Sequence, residues 1–537
     1  MWQPLREPTF RAIWISAFFS NVGSLMQDVA SAWLMTSLTT QPLMVALLQT
    51  VANVPFFVLA LLAGALADVI DRRLLLIIGQ AWMGIIALIL GLLTLAGVVN
   101  AWWLLGLTFL MGFGAAISSP AWNSLIPELV KRDKLEQAIA LNSVGYNSAR
   151  GFGSALGGVI VAAAGSGFAF ILNAASFLGV LGVLIKWKRP PDAQPQGGAR
   201  EPLFSAMRAG MRFARFSPGL KAVFVKTAIW ATGTSAMWAL VPLIARQKLG
   251  LDSIQYGLLL SAFGGGTLIG ALLMPRMRRS ISLENTIRGG IVLWAVAMAA
   301  MSWSVNYWLA MLYMAAFGMA WVIVNSCLNT GAQLAVPSWV RARALAIYIL
   351  IFQGCIALGS AFWGRLGDYT GLSMPLLCAS LLLGVGLLVG NKFPLGVVEN
   401  FDTSLSGHWT DPNLVYSPEP HHGPVMVTVE YTIEPSSHDD FIKAMAALAV
   451  QRKRDGAYQW HLFCDLSDTN KYIESFLIES WGEHVRQHER VMNADIAVEQ
   501  HASSFHIADK PTKVRHFISA YTMDMLTQIA EVPTEGK

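Results

Sequence analysis

Two charges stand where an apolar environment tolerates them poorly. Asp28 is the sole carboxylate in an apolar run over 10–36, and Arg150 falls near the middle of another over 136–164. An ionised Asp at bilayer depth costs about 2.5–3.5 kcal/mol on insertion scales and more on harsher ones. Asp28 is therefore expected to face a wet cavity or a partner. Asn21 lies one heptad earlier on the same helical face, and Gln27 adds further polarity. Two chemistries fit Asp28: a proton or cation site, or a structural hydrogen bond. Arg150 fits either an anionic substrate and the neutralisation of a carboxylate such as Asp28, or a fixed structural pair. Lys226, near the start of a later apolar run, is expected to snorkel to the interface. Trp230, Trp238, Trp303 and Trp321 can line a hydrophobic cavity or serve as core and lipid-facing surface.

Other residue patterns carry less chemistry. His484 and His488 share one helical face, a spacing that can bind metal, but no third ligand follows from the sequence. The expectation is a solvated face, no metal site and no catalytic set. The four cysteines, Cys327, Cys355, Cys378 and Cys464, form no CxxC pair, which leaves neither a disulfide framework nor a zinc site. A GxxxxGK[ST] loop is missing, so nothing points to ATP, and no cofactor is expected.

The elements that must hold these residues are membrane spans. The 537 residues are 54% hydrophobic and 13% charged, with mean hydropathy +0.50, against about a quarter charged in a soluble chain. A net charge of +5 is too modest for a nucleic-acid footprint. Spans need about 20 apolar residues each. Twelve are predicted: 10–36, 42–67, 74–97, 102–123, 136–164, 167–187, 220–245, 254–275, 284–304, 307–334, 339–365 and 371–391. The even-numbered connections collect Lys and Arg, including Arg72 and Arg73, Lys131 and Arg132, and Arg341 and Arg343. Positive-inside logic places those connections and both termini in the cytoplasm. The seventh connection, with Arg246 and Lys248, departs from the pattern.

A shift of 206 residues brings Gly64, Arg72 and Arg73 onto Gly270, Arg278 and Arg279, and Gly153-Ser154-Ala155 onto Gly359-Ser360-Ala361. Such a repeat implies two parallel six-helix halves, as in one large class of secondary transporters, with a substrate path between them. The predicted organisation is a bundle over 1–188, a basic connection over 189–219, a second bundle over 220–392, a linker over 393–422, an α+β domain over 423–522 and a tail over 523–537. Within the connection, Phe204 to Phe216 is amphipathic, with Met207 and Met211 opposing Arg208, Arg212 and Arg215, and is expected to lie on the membrane surface. In the last domain, Val425, Val427, Val429, Tyr431 and Ile433 alternate as a strand does. A helix over 436–454, strands over 457–466 and 472–481, a helix over 482–495 and a strand over 512–521 complete a βαββαβ, ferredoxin-like order.

Gly64-Ala65-Leu66-Ala67-Asp68-Val69-Ile70-Asp71-Arg72-Arg73 resembles the signature loop of the major facilitator superfamily. The segments Ile126-Pro127-Glu128-Leu129-Val130, Ala140-Leu141-Asn142-Ser143 and Arg343-Ala344-Leu345-Ala346 resemble its bacterial branch of siderophore exporters and transmembrane secretion effectors. The resemblance implies a proton-coupled exporter of a small organic molecule working by alternating access in the inner membrane. It also implies a cytoplasmic gate of Asp68, Arg72, Arg73, Arg341 and Arg343. Met274 stands where the second copy would carry the acid, so any such gate is asymmetric. Gly64 belongs to the same loop. Gly151, Gly153, Gly157 and Gly158 permit close helix approach and resemble an antiporter signature, with Ser154 in the place of its Pro. Residues 424–520, through Trp481, His484 and His488, are similar to the dimeric α+β barrel of antibiotic-biosynthesis monooxygenases. That likeness implies either a homodimerising, regulatory module or a cofactor-free enzyme that modifies the exported metabolite; with no acid–base set evident, dimerisation ranks first.

Overall fold

Long apolar runs broken by Gly, Pro and capping residues fold into helices that leave many large apolar side chains facing outward. Leu272, Leu358, Trp308 and Leu388 are among them. A soluble protein would bury that surface, whereas lipid tails accept it. The computed structural model describes residues 3–69, 71–130, 134–187, 203–395, 402–407, 409, 418–507 and 511–519. Two compact units divide the chain, one of residues 1–200, 222–330 and 346–396, the other of 201–221, 331–345 and 397–537.

The first unit holds α1 (Pro8–Leu38), α2 (Pro42–Val69), α3 (Arg72–Leu95), α4 (Ala101–Leu129) and α5 (Leu135–Lys186). After the connecting helix α6 (Leu203–Phe216) come α7 (Pro218–Leu243), α8 (Ser253–Ser280), α9 (Leu283–Trp303), α10 (Tyr307–Leu334), α11 (Arg341–Thr370) and α12 (Ser373–Gly390). Starts are set by capping side chains. Asp71 accepts from the amides of Arg73 and Leu74, Asn100 from Trp103, and Asp252 forms a capping box with Gln255. The run α5 is interrupted at Gly165, whose φ of 79° and ψ of 167° suit only glycine, so it has two arms. The break falls in the predicted turn at 164–167. Among the described residues ten helices are long and apolar enough to cross a membrane, with Gln137–Lys186 counted as one.

The second unit carries a four-stranded antiparallel sheet of order β2-β3-β1-β4. It is built from β1 (Val425–Thr432), α13 (His438–Asp455), β2 (Gln459–Cys464), β3 (Lys471–Ile478), α14 (Trp481–Arg490), α15 (Asn493–Ser503) and β4 (Lys513–Ile518). The alternation read in β1 buries Val425, Val427, Val429 and Tyr431 against Phe441, Met445 and Phe476. The expected single helix over 482–495 is instead two helices, because Asp495 accepts from the Met492 amide and starts a new one. Part of the expected linker lies on the domain: the Ser406 amide donates to Val491 and the Asn493 amide to Ser404.

One side of α6 packs against protein. Phe213 and Ala209 are buried, and Arg212 donates to Glu483 at 2.9 Å. Arg208 also pairs with Glu479. Trp339, from the α10–α11 connection, meets Phe213 edge-on and lies under the Arg490 guanidinium at 4.3 Å. Of the apolar residues that suggested a lipid surface, Met211 is 52% exposed; the side of α6 that meets protein instead carries Ala209, Phe213 and Ala214 together with Arg212. Met207 has a side chain outside the described residues.

Candidate functional site

The glycines of α5 let three helices meet backbone to backbone. A Cβ on Gly153 or Gly157 would stand 2.8 Å from the Val22 carbonyl oxygen or 3.0 Å from the Met26 Cα, both on α1. One on Gly158 would stand 2.5 Å from the Ser253 carbonyl oxygen, and one on Gly264 would stand 2.7 Å from the Gly151 Cα, so α8 packs as tightly. Ser261 of α8 donates to the Gly151 carbonyl at 2.9 Å. The first arm of α5 is thereby wedged between α1 of the first half and α8 of the second. Gly158→Leu is expected to force α5 and α8 apart, lowering both melting temperature and transport. Gly179→Leu, where a Cβ meets nothing within 4 Å, is expected to leave both unchanged.

That wedge places Arg150 at the seam of the halves. Its guanidinium donates to the Tyr146 hydroxyl at 3.2 Å and lies 5.3 Å from the Tyr146 ring and 5.6 Å from the Phe263 ring. Phe263 meets Trp238 edge-on at 4.9 Å, Trp238 meets Trp321 at 5.6 Å, and Trp321 meets Phe352 at 5.9 Å. The cation thus heads an aromatic series drawn from α5, α8, α7, α10 and α11. Asp28 remains exposed on α1 and lies within electrostatic reach of Arg150 and Tyr256. A cation over aromatic faces binds anions and π-systems together. Of the four tryptophans weighed from sequence, Trp238 and Trp321 are half-buried in this series, Trp230 is fully buried and Trp303 faces outward at 69% exposure.

Polar residues beside the site are fixed. Gln27 accepts from Asn173 at 2.6 Å and is buried, while Asn21 is half-buried. The halves are tied at one end, where Arg246 donates to Thr36 at 3.1 Å and the Leu43 amide to Asp368 at 3.1 Å, and again further along α2 and α11, where Gln353 donates to Asn53 at 2.9 Å. Arg246 also covers the Trp33 ring at 5.2 Å.

The gate residues are placed unevenly. Asp68 and Gly64 lie in α2, with the Asp68 side chain outside the described residues. Arg73 donates to the Leu184 and Ile185 carbonyls at 2.8 Å, a favourable cation at the end of α5. Arg72 is half-exposed in the first turn of α3, Arg341 is exposed, and Arg343 packs on Gly210 of α6.

Lys226 does not snorkel. It is 6% exposed, donates to Glu284 of α9 at 2.6 Å and reaches the Gly390 carbonyl. Glu284 also accepts from Arg288 and from the Leu395 amide. Sequence reading missed Glu284, whose partner lies 58 residues away; a lone acid at the first position of the predicted span 284–304 was the available signal.

In the second unit the solvated-face expectation for His484 and His488 is also corrected. His484 is 1% exposed, and its ring lies 4.7 Å from that of His488 and 4.8 Å from that of His516 on β4. Burial, then the neighbouring His488 and His516, lower the His484 pKa to about 3, which keeps its ring neutral. His516 is lowered by burial too.

The helical bundle and its seam define a major facilitator transporter. Solved transporters share the fold. A bacterial homolog of the human lysosomal transporter Spinster, in an inward-facing and unoccupied conformation, superposes with TM-score 0.58 at 14% identity, covering 74% of this chain and 98% of its own. The nucleoside transporter NupG superposes with TM-score 0.55 at 13% identity, covering 72% and 98%. The chain belongs to the transmembrane secretion effector family, whose pattern matches residues 1–523. It is 28% identical over 392 residues to the enterobactin exporter EntS of Salmonella typhi and to that of Escherichia coli O1:K1 / APEC, covering 71% of this chain and 90% of each relative. These relatives are exporters, and the chain is a multi-pass membrane transporter rather than an enzyme.

Proposed function

We propose that this protein is a proton-coupled inner-membrane exporter of a small organic anion bearing aromatic rings, of the siderophore or secondary-metabolite class. The observation that carries the reading is the Arg150 guanidinium held against Tyr146 and Phe263 at the seam of the halves, beside the exposed Asp28. The similarity to enterobactin exporters supports the direction of transport. Substrate anion binds Arg150 while its rings stack on the Phe263–Trp238–Trp321 series. Asp28 exchanges the coupling proton. Twelve crossings are proposed, since α1 and the Gly165 break add two to the ten apolar helices. With basic connections in the cytoplasm, the end tied by Thr36–Arg246 and Leu43–Asp368 is the periplasmic one, so substrate loads from the cytoplasm. Asp68 and Arg72 contribute to a cytoplasmic gate that closes in the opposite state.

Inverted vesicles with an imposed pH gradient test the reading. They are expected to accumulate enterobactin and to leave the cationic dye ethidium outside. Gradient-driven uptake of ethidium without enterobactin would reverse the proposed charge preference, and uptake of neither above empty vesicles would reject the reading.

The C-terminal domain is proposed to be ferredoxin-like, cytoplasmic and regulatory. The sheet order 2-3-1-4 supports the fold. Its grip on α6, which links the halves in sequence, and on 331–345 supports regulation. Homodimerisation through this domain remains part of the proposal. Arg212→Glu sets like charges at the 2.9 Å contact with Glu483. Amide protection across 203–216 is expected to fall and the transport rate to change by at least about twofold, that is by at least about 0.4 kcal/mol on the transport barrier. A released helix with an unchanged rate would remove the regulatory reading.

A further inference from the structure

We propose that His484, His488 and His516 form a three-histidine site for a divalent transition-metal ion of the zinc class, inside the C-terminal domain. The argument stands apart from the transport reading, because none of these residues belongs to the membrane helices.

Three observations lead to it. First, the fold assembles the set from distant places: His484 and His488 sit one turn apart on α14, and His516 projects from β4, the edge strand paired with β1 at Val427. One nitrogen from each ring lies within 4.8 Å of the other two. Tetrahedral coordination at a Zn–N distance of about 2.0–2.1 Å brings such nitrogens to roughly 3.3 Å apart. Side-chain rotation supplies the difference, since the rings already approach at 4.7 and 4.8 Å between centroids.

Second, neither ring nitrogen of His484 has a well-formed hydrogen bond, although the residue is 1% exposed. Buried polar groups are almost always partnered, because leaving one unmade costs about 1–3 kcal/mol. A metal ion taking the imidazole lone pair would satisfy it. Gln487, also fully buried on the same helix, is near enough to orient the ring, as outer partners of metal-bound imidazoles do.

Third, the surroundings tolerate a dication. Arg452 lies nearby, but it is paired with Glu474 at 3.2 Å and with Glu499 at 2.7 Å, so this neighbouring cluster carries one net negative charge. Glu474 is fully buried and also accepts from Trp460 and Tyr431. Trp481 and Trp409 wall the site, at 5.3 Å from His484 and 4.9 Å from His488. His488 and His516 are half-buried, so an ion can enter and a fourth position can stay open. Three neutral imidazoles suit zinc, cobalt, nickel or copper and disfavour calcium or magnesium.

The test uses the full chain in detergent, without a polyhistidine tag, stripped with a chelator and titrated with Co(II). One equivalent is expected to give the intense visible absorption of four- or five-coordinate cobalt, and Zn(II) is expected to displace it. His484→Ala and His516→Ala should each weaken binding by more than the roughly 10–100-fold typical of losing an outer partner. His461→Ala, an exposed histidine on β2, should bind as before. If the alanine variants unfold, His516→Cys keeps the idea testable, because a bound thiolate must add a charge-transfer band in the near ultraviolet. A stripped protein that shows no four- or five-coordinate cobalt spectrum would overturn the proposal. So would a folded His484→Ala chain that binds like the parent, or a His516→Cys chain that binds cobalt without the new band.

Discussion

Asp28→Asn is expected to cut pH-gradient-driven efflux by about a hundredfold, roughly 2.8 kcal/mol, while the protein inserts and folds normally. Asn keeps the shape and hydrogen-bonding reach of Asp but cannot carry a proton through the cycle. The loss should therefore fall on coupled, net transport. Substrate-for-substrate exchange, which needs no net proton movement, should persist in the same vesicles. Arg150→Lys provides the complementary result: it keeps the charge but loses the planar cation that lies 5.3 and 5.6 Å from the Tyr146 and Phe263 rings, so affinity should fall while coupling survives. Full gradient-driven efflux by Asp28→Asn would reject the coupling role. Loss of exchange along with net efflux would show instead that Asp28 is needed for binding or folding.

The other large effect lies in the C-terminal domain. Arg454→Ala is expected to destabilise it by about 3–5 kcal/mol, because removing one member of a buried ion pair strands the remainder. Arg454 is 4% exposed and donates to Asp455 at 2.7–2.8 Å and to Asp495 at 2.6 Å, both carboxylates being buried as well. Burial already raises Asp455, an effect that Arg454 opposes. Without Arg454 the folded-state pKa of Asp455 rises further above the unfolded value of about 3.9. The folded variant then binds more protons than the unfolded chain, so its stability should increase as the pH falls through that raised folded pKa. Calorimetry of the variant at pH 7 and pH 5 checks both parts. A domain transition that stays at the parental temperature at pH 7, or that falls further on acidification, would contradict the argument.

Membrane character, the break at Gly165 and the alternation of β1 were legible because each is a local signal: hydropathy over a window, a Gly-Ser-Gly interruption between two apolar runs, a period of two. Asp28 and Arg150 were conspicuous for the same reason, since a charge within an apolar run needs no partner to be noticed. The α6 reading shows where local signals end. Its pattern set Met211 opposite the arginines, whereas the side that meets protein carries Phe213 and Arg212 together, which periodicity does not reveal. Likewise, Lys226 read alone suggested the interface, because its partner Glu284 is in another helix.

What the sequence alone determined is therefore the solvent of the helices, most of their breaks, and the charged residues that must be functional or paired. Only tertiary structure decided the partners. Arg150 faces Phe263 across the two halves, Lys226 is neutralised by Glu284, Arg212 binds Glu483, and His516 joins His484 and His488. The physical reason is that helix and strand periods are written in neighbouring residues. A contact between residues far apart depends on how whole elements pack, and those packings turn on close approaches such as Gly158 against Gly257 that no single segment encodes.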